Sequence, residues 1–223
     1  MNILSTRLKA AADMAVNANR IIDVGCDHGY LSAYMILERS AHYVYACDIN
    51  TGPLNNAEKT ACQYKLQDRI EFRLCNGLDS FSGEECDTVF ICGMGGELIA
   101  DILSRAPWTA DGKHTLVLQP MSKGDYLRRF LFENNYNIDL EQAVYDDNRL
   151  YCIIRAKGGK GNCGENNEFM YSDSFVKNIN FYQYIDKMLS KYRDIYSGKL
   201  TAGYDTSEEI RIINLLEEAY ANR

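Results

Sequence analysis

The sequence predicts an α/β protein: a mostly parallel, doubly wound sheet of seven strands that finishes in an antiparallel hairpin and is followed by a helical tail. Five short runs rich in β-branched and aromatic residues (21–24, 43–47, 70–74, 88–92 and 115–118) are spaced widely enough for a crossover helix between each pair. That is the pattern of strands buried on both faces. Two further runs, 137–145 and 150–156, are separated only by Asp146, Asp147, Asn148 and Arg149, a gap that makes an antiparallel hairpin. Near the end, Phe175, Ile179, Tyr182, Ile185, Leu189, Tyr192 and Tyr196 recur at spacings of three and four, a helical stripe close to heptad period.

Each element follows in order. Ile3, Leu4, Leu8, Ala11, Ala12 and Ala15 predict an amphipathic helix over residues 2–18, and the five runs and the hairpin come next. The Gly/Asn-rich stretch 157–167 suits an exposed linker, which divides the chain into a domain over 1–158, a linker over 159–167 and a helical hairpin over 168–223. The first tail helix is expected to stop near Gly198. Thr206 and Glu209 then read as a capping box ahead of a second helix marked by Ile210, Ile213, Leu216 and Tyr220.

Composition bounds the function. At 223 residues, 46% hydrophobic and 25% charged, the chain is an ordinary globular protein with room for one α/β domain and a small appendage. No apolar stretch is long enough for a membrane span or a signal peptide, so the expectation is a cytoplasmic protein without a membrane partner. Eight cysteines in such a chain read as reduced thiols, and without a Cys-x-x-Cys pair no metal is expected. A net charge of −7 argues mildly against a nucleic-acid partner, although an average conceals local patches. A monomer is favoured.

The chemistry-bearing motif is Asp23-Val24-Gly25-Cys26-Asp27-His28-Gly29, which follows the first strand and opens a helix. Gly25 and Gly29 let the backbone bend and approach a ligand. Asp23 is placed to accept from a ligand amino group, directly or through water. Asp48, at the end of the second strand, is placed to grip ribose hydroxyls, and Asn76-Gly77 after the third strand is placed to hold adenine. Those needs match S-adenosylmethionine (SAM). Asp-x-Gly-x-x-x-Gly departs from the dinucleotide spacing, which weakens a nicotinamide reading. Asp27 stands where a third glycine is common, and Asp tolerates left-handed backbone.

These residues resemble the bacterial tRNA (adenine-22-N1)-methyltransferases, which have a Rossmann-like class I methyltransferase fold. The resemblance rests on Leu4-Ser5-x-Arg7-Leu8, on Asp23 to Leu31, and above all on Ile91-Cys92-Gly93-Met94-Gly95-Gly96 with Leu98-Ile99. Leu118-Gln119-Pro120-Met121 and Tyr151 continue it. The sequence departs from the family at Cys26, where a residue such as Ser is expected, and at Cys92, where Ala is usual. The resemblance implies SAM as cofactor and tRNA as partner, with Tyr30, Ile49 and Gly93 added to the cofactor set. Met94, Asp27 and His28 are the candidate catalytic residues. Gly95, Gly96, Gln119 and Pro120 are candidate substrate contacts, as are Arg7, Lys187 and Lys191.

Residues 177–199 are locally basic, with Lys177, Lys187, Lys191, Arg193 and Lys199 against Asp186 and Asp194. Tyr182, Tyr184, Tyr192 and Tyr196 lie among them as potential stacking surfaces, although coiled packing is the preferred reading for Tyr182 and Tyr192. Arg7, Lys9, Arg20, Lys123, Arg128 and Arg129 extend the expected basic surface. The alternatives are a small-molecule methyltransferase, a nicotinamide-dependent oxidoreductase and a noncatalytic SAM-binding module.

Overall fold

A computed structural model describes residues 4–161 and 169–221. Strands β1 (Arg20–Val24), β2 (Tyr43–Asp48), β3 (Ile70–Leu74), β4 (Thr88–Gly95) and β5 (Thr115–Ser122) run parallel. Strands β6 (Tyr136–Asp146) and β7 (Arg149–Gly158) complete one seven-stranded sheet in the order β3-β2-β1-β4-β5-β7-β6, with β7 antiparallel to both neighbours. Apolar side chains of the parallel strands alternate between two cores. Ile21, Val44, Ala46, Phe90 and Val117 face helices α1 (Thr6–Met14), α2 (Tyr30–Glu38) and α3 (Thr51–Tyr64). Ile22, Val24, Val89, Ile91 and Leu116 face α4 (Gly96–Ser104) and α5 (Gly124–Glu133). The strands are buried on both sides, which is why they read as unbroken apolar runs.

Several boundaries differ from the sequence expectation. The first helix is shorter than residues 2–18, spanning Thr6–Met14. Arg20 starts β1 at the amino edge of the sheet, far from the carboxyl edge, and donates to the Tyr45 hydroxyl at 2.6 Å. Strand β4 continues through Gly93, Met94 and Gly95 by way of two register shifts against β5. The glycine run is thus a bulged strand end rather than a loop, with Gly93 at a φ of 81°. The hairpin turn is tighter than expected: Asp147 and Asn148 alone connect the strands, at φ values of 46° and 59°, the backbone signs of a type I′ turn.

A second bulge, between Ile138 and Leu140 of β6, shifts the side-chain alternation by one residue. Before it Ile138 faces the α4–α5 side; after it Glu141 and Ala143 share that side, while Val144 packs with the α1 side. The hairpin is a wall with two working faces. One receives α1, where Gln142 Nε2 donates to the Ala10 carbonyl at 3.3 Å and Arg155 Nη1 to that of Met14 at 3.0 Å. The other receives the tail.

The tail is a short 3₁₀ turn (Asp173–Lys177) and two helices, α6 (Phe181–Thr201) and α7 (Ser207–Ala221). The single stripe predicted from Phe175 onward is broken at Asn178 and Asn180, which bond the Ala143 amide and carbonyl at 3.3 and 2.8 Å and so dock the chain on β6. Helix α6 then passes through Gly198 to Thr201. The helices are antiparallel and cross-linked by Arg193–Glu217 and Lys199–Glu209, both at 2.7 Å. That second bond takes Glu209 away from the expected capping box, and Asp205 Oδ1 accepts from the Ser207 amide instead. Residues 162–168, most of the expected linker, lie outside the described residues. Ala143 and Leu150 of the hairpin share a core with Phe175, Phe181, Ile185, Leu189, Ile212 and Leu216.

A buried ion pair seals that junction. Arg128 of α5 and Glu141 of β6 are 0% and 1% exposed. Arg128 Nε donates to both Glu141 oxygens at 3.0 and 3.2 Å, Nη2 donates to Oε1, and Nη1 reaches the Phe169 carbonyl at 3.1 Å. Glu141 Oε2 also accepts from the Ser172 amide at 2.9 Å. Arg128 is therefore not part of a basic surface, and Lys9 is tied to Asp13 at 2.9 Å. Among the described residues, no helix is long and apolar enough to cross a membrane and no group of His, Cys, Asp or Glu is placed to hold a metal.

Candidate active site

The candidate residues gather at the carboxyl edge of the parallel strands, where ligands bind in open α/β sheets. After β1 the chain turns sharply: the amides of Gly25 and Cys26 donate to the Cys47 carbonyl at 2.8 and 3.0 Å, and Gly29 donates to Cys26 at 2.7 Å. Gly25, Asp27 and Gly29 have φ values of 72°, 48° and 68°. Asp27 thus holds the left-handed geometry expected of it and carries its carboxylate onto an exposed lip. The two glycines differ in purpose. A Cβ on Gly25 would lie 2.4 Å from Met94 Cε, whereas one on Gly29 would lie 2.8 Å from Ala57 of α3. Gly25 keeps space over the turn; Gly29 lets two helices pack instead of admitting a ligand.

Asp23 lies beneath the turn and is 3% exposed, accepting a 2.6 Å bond from the Ser32 hydroxyl of α2. Asp23 is thus screened from solvent beneath the turn, with Ser32 holding one of its oxygens. Burial pushes its carboxyl up to about 6, against the lowering effect of the Ser32 bond. The raised value means the fold favours the protonated form, so stability is lost as pH rises from about 4 to 6, and the loss stays constant above that. Asp23→Asn is expected to raise stability at pH 7 by about 2 kcal/mol and to give no gain at pH 4. Thermal unfolding at the two pH values checks this; equal gains at both would refute it. Burial and the nearby Asp23 charge push the Cys26 and Cys92 thiols upward, so both stay protonated.

Asp48 ends β2 half-buried. Its Oδ1 accepts from the Asn50 amide at the head of α3 at 2.9 Å, and its carbonyl accepts from Cys75 at 3.0 Å. Ile49 beside it is 62% exposed and Leu74, its neighbour on β3, is 60% exposed, an apolar bracket suited to a flat heterocycle. Leu74 escaped the sequence reading, although an apolar residue at a strand's carboxyl end was the available signal. Asn76 is exposed, while Gly77 is buried at a φ of 61° against Ile102 and its carbonyl accepts from the Cys47 and Cys75 thiols, each at 3.4 Å. Gly77 therefore shapes the turn from below.

On the opposite side of the turn, His28 stacks on Tyr30 with centroids 5.7 Å apart and planes 13° from parallel. Its Nε2 is 3.8 Å from Asp27 Oδ1. Asp27, His28 and Tyr30 form one exposed cluster. Gly93 sits at the rim, but Gly96 is buried, its missing Cβ accommodating the Lys123 carbonyl, and Gly95 borders Ser122. Gly96 is thus a packing residue and not a substrate contact. Gln119 is likewise 0% exposed. Its Oε1 accepts from Arg7 Nη1 at 2.8 Å and from the Gly93 amide at 3.1 Å, so it positions the bulge. Arg7 is held by Gln119, by Asp146 at 3.6 Å and over the Tyr151 ring at 5.7 Å, which makes it a brace in place of a phosphate-seeking cation.

A family model described as a methyltransferase domain matches residues 4–154. The chain belongs to this methyltransferase family. Among its methyltransferase relatives, the tRNA (adenine(22)-N(1))-methyltransferase of Bacillus subtilis is 33% identical over 156 residues, covering 70% of this chain and 66% of that one. The aligned part thus spans about two thirds of the curated relative. Two solved methyltransferases match almost throughout, tail included. TrmK of M. capricolum, solved in complex with S-adenosyl-homocysteine, superposes with a TM-score of 0.83 at 27% identity over 99% of both chains. The m1A22 tRNA methyltransferase TrmK of B. subtilis gives 0.80 at 27% identity, over 97% of this chain and 98% of that one. The resemblance and the class I methyltransferase fold read from the sequence are borne out, and the oxidoreductase alternative falls.

Proposed function

We propose that this methyltransferase moves the methyl group of SAM to N1 of an adenine in tRNA in the cytoplasm, the adenine at position 22 following its B. subtilis relative. The observation that carries this reading is the contact of Met94 with Gly25: the strand end that meets the substrate and the turn that meets the cofactor are one place.

The residues present fit SAM. The Gly25 turn offers close backbone approach, the opening amides of α2 at Tyr30 suit a carboxylate, Asp48 suits a ribose diol, and Ile49 with Leu74 suits adenine. When bound, SAM supplies an electrophilic methyl on a cationic sulfonium. Adenine N1 attacks as a neutral nitrogen, so no strong base is needed and what the protein contributes is alignment. Met94 gives the target base an apolar surface. The Asp27 carboxylate compensates the positive charge that the base acquires, and His28, steadied by Tyr30, is placed to meet its N6 edge. Reaching a stacked base requires its extrusion from the RNA.

Total tRNA incubated with isotope-labelled SAM and the protein is expected to gain 1-methyladenosine, located by nuclease digestion and mass spectrometry. Absence of label on RNA, or label confined to another atom, would overturn the reading.

A further inference from the structure

Beside the active site lies a cleft of about 720 Å³, walled by the end of β5 and the start of α5, by the tip of the β6–β7 hairpin, and by α6. Its size lies within the usual range for a bound small ligand. It is continuous with the methyl-transfer edge through Pro120, which pairs with Met94, and Ser122, which pairs with Gly95. Its lining is basic in a chain of net charge −7: Lys123, Arg149, Lys187 and Lys191 line it. The lining carboxylate, Asp125, is engaged by Tyr192, and the lining Arg128 is neutralised by Glu141. Among the described residues, no ion pair occupies Lys123, Arg149 or Lys191. Lys187 is steadied on the wall by a 2.9 Å bond to the Leu150 carbonyl. Four tyrosines line the cleft, of which Tyr184 and Tyr192 are buried. Tyr145 is 48% exposed, and Tyr151 has Arg7 over its ring.

Cations and an accessible aromatic ring around a nucleotide-sized volume are the elements that hold single-stranded nucleic acid, with phosphates on Lys and Arg and bases on aromatic faces. We propose that this cleft receives a second nucleotide of the RNA, one flanking the methylated adenine, with its phosphate against Arg149, Lys187 and Lys191 and its base against Tyr145. The inference rests on the tRNA methyltransferase reading and adds to it a subsite that anchors the strand while the target base is held at Met94. The tail thereby acquires a specific role, since α6 supplies Lys187 and Lys191 and the cleft exists only because the tail is docked on the hairpin.

The test is steady-state methylation of transcribed tRNA by Arg149→Glu, Lys191→Glu and Tyr145→Ala, with Tyr145→Phe as the conservative variant. Lys59→Glu on α3 controls for total charge. Each charge reversal in the cleft is expected to raise KM for tRNA about tenfold and to lower the salt slope of tRNA binding by about 1. Tyr145→Ala is expected to raise KM about tenfold and Tyr145→Phe to behave as wild type. SAM affinity, measured by calorimetry, should not move in any of them, which shows that the domain remains folded. Wild-type KM in both Arg149→Glu and Lys191→Glu would overturn the subsite, as would an equal rise in Lys59→Glu. If the wild-type protein places no methyl on tRNA, the methyltransferase reading fails first; if it does and the cleft variants match it, only the subsite fails.

Discussion

Replacing Arg128 with methionine is expected to lower stability by about 4 kcal/mol and the Tm by roughly 10 °C. Arg128 and Glu141 are almost wholly removed from solvent, and the loss of one partner strands the other charge in a medium that cannot solvate it. Glu141→Leu should cost a similar amount, because it leaves the guanidinium unpaired and deprives the Ser172 amide of its acceptor. The double variant Arg128→Met/Glu141→Leu should recover most of the loss, since apolar groups of similar volume replace a buried pair at little cost. Thermal unfolding followed by circular dichroism measures all three. A double variant as unstable as the sum of the single ones would show that the pair acts through something other than mutual charge compensation.

The second large effect concerns the cofactor. Asp48→Ala is expected to weaken SAM binding about 100-fold, equivalent to about 3 kcal/mol, as charge-assisted bonds to two ribose hydroxyls are lost. Asp48→Asn separates this from a local structural effect. It preserves an oxygen for the Asn50 amide and so keeps the head of α3 in place, yet it removes the charge, and an intermediate affinity is expected. Calorimetric titration with SAM reads both variants. Wild-type affinity in Asp48→Ala would remove Asp48 from the cofactor site.

The parts of this molecule that were readable in the sequence are local ones. The doubly wound sheet follows from apolar runs of strand length, and the left-handed Asp27 follows from its place between Gly25 and Gly29. The misread parts depend on partners distant in the chain. Gly93 to Gly95 fall beyond the run 88–92 that marks the fourth strand in the sequence, yet pairing of Met94 with Pro120 and Gly95 with Ser122 draws them into the sheet. Gln119 reads as a polar contact but continues the buried strand Leu116–Leu118, where its amide has two fixed donors to satisfy. Arg128 reads as a surface cation, although its place between Leu127 and Leu131 on the buried face of α5 was a signal. Its partner was concealed by the β6 bulge, which defeats a simple count of alternate residues.

That bulge has a consequence for how the gene can change. Deleting Asp139, the extra residue of β6, would let Leu140 follow Ile138 in regular alternation and leave each later side chain on its present face. Inserting one residue between Leu140 and Glu141 would instead invert every position from Glu141 to the turn, carrying Glu141 away from the Arg128 guanidinium and toward α1. The catalytic half would lose its brace and the tail its seat in one event. Insertions beyond the bulge, usually tolerated at the rims of a domain, are therefore expected to be purged along this outermost strand, while substitutions at its solvent-facing positions pass freely.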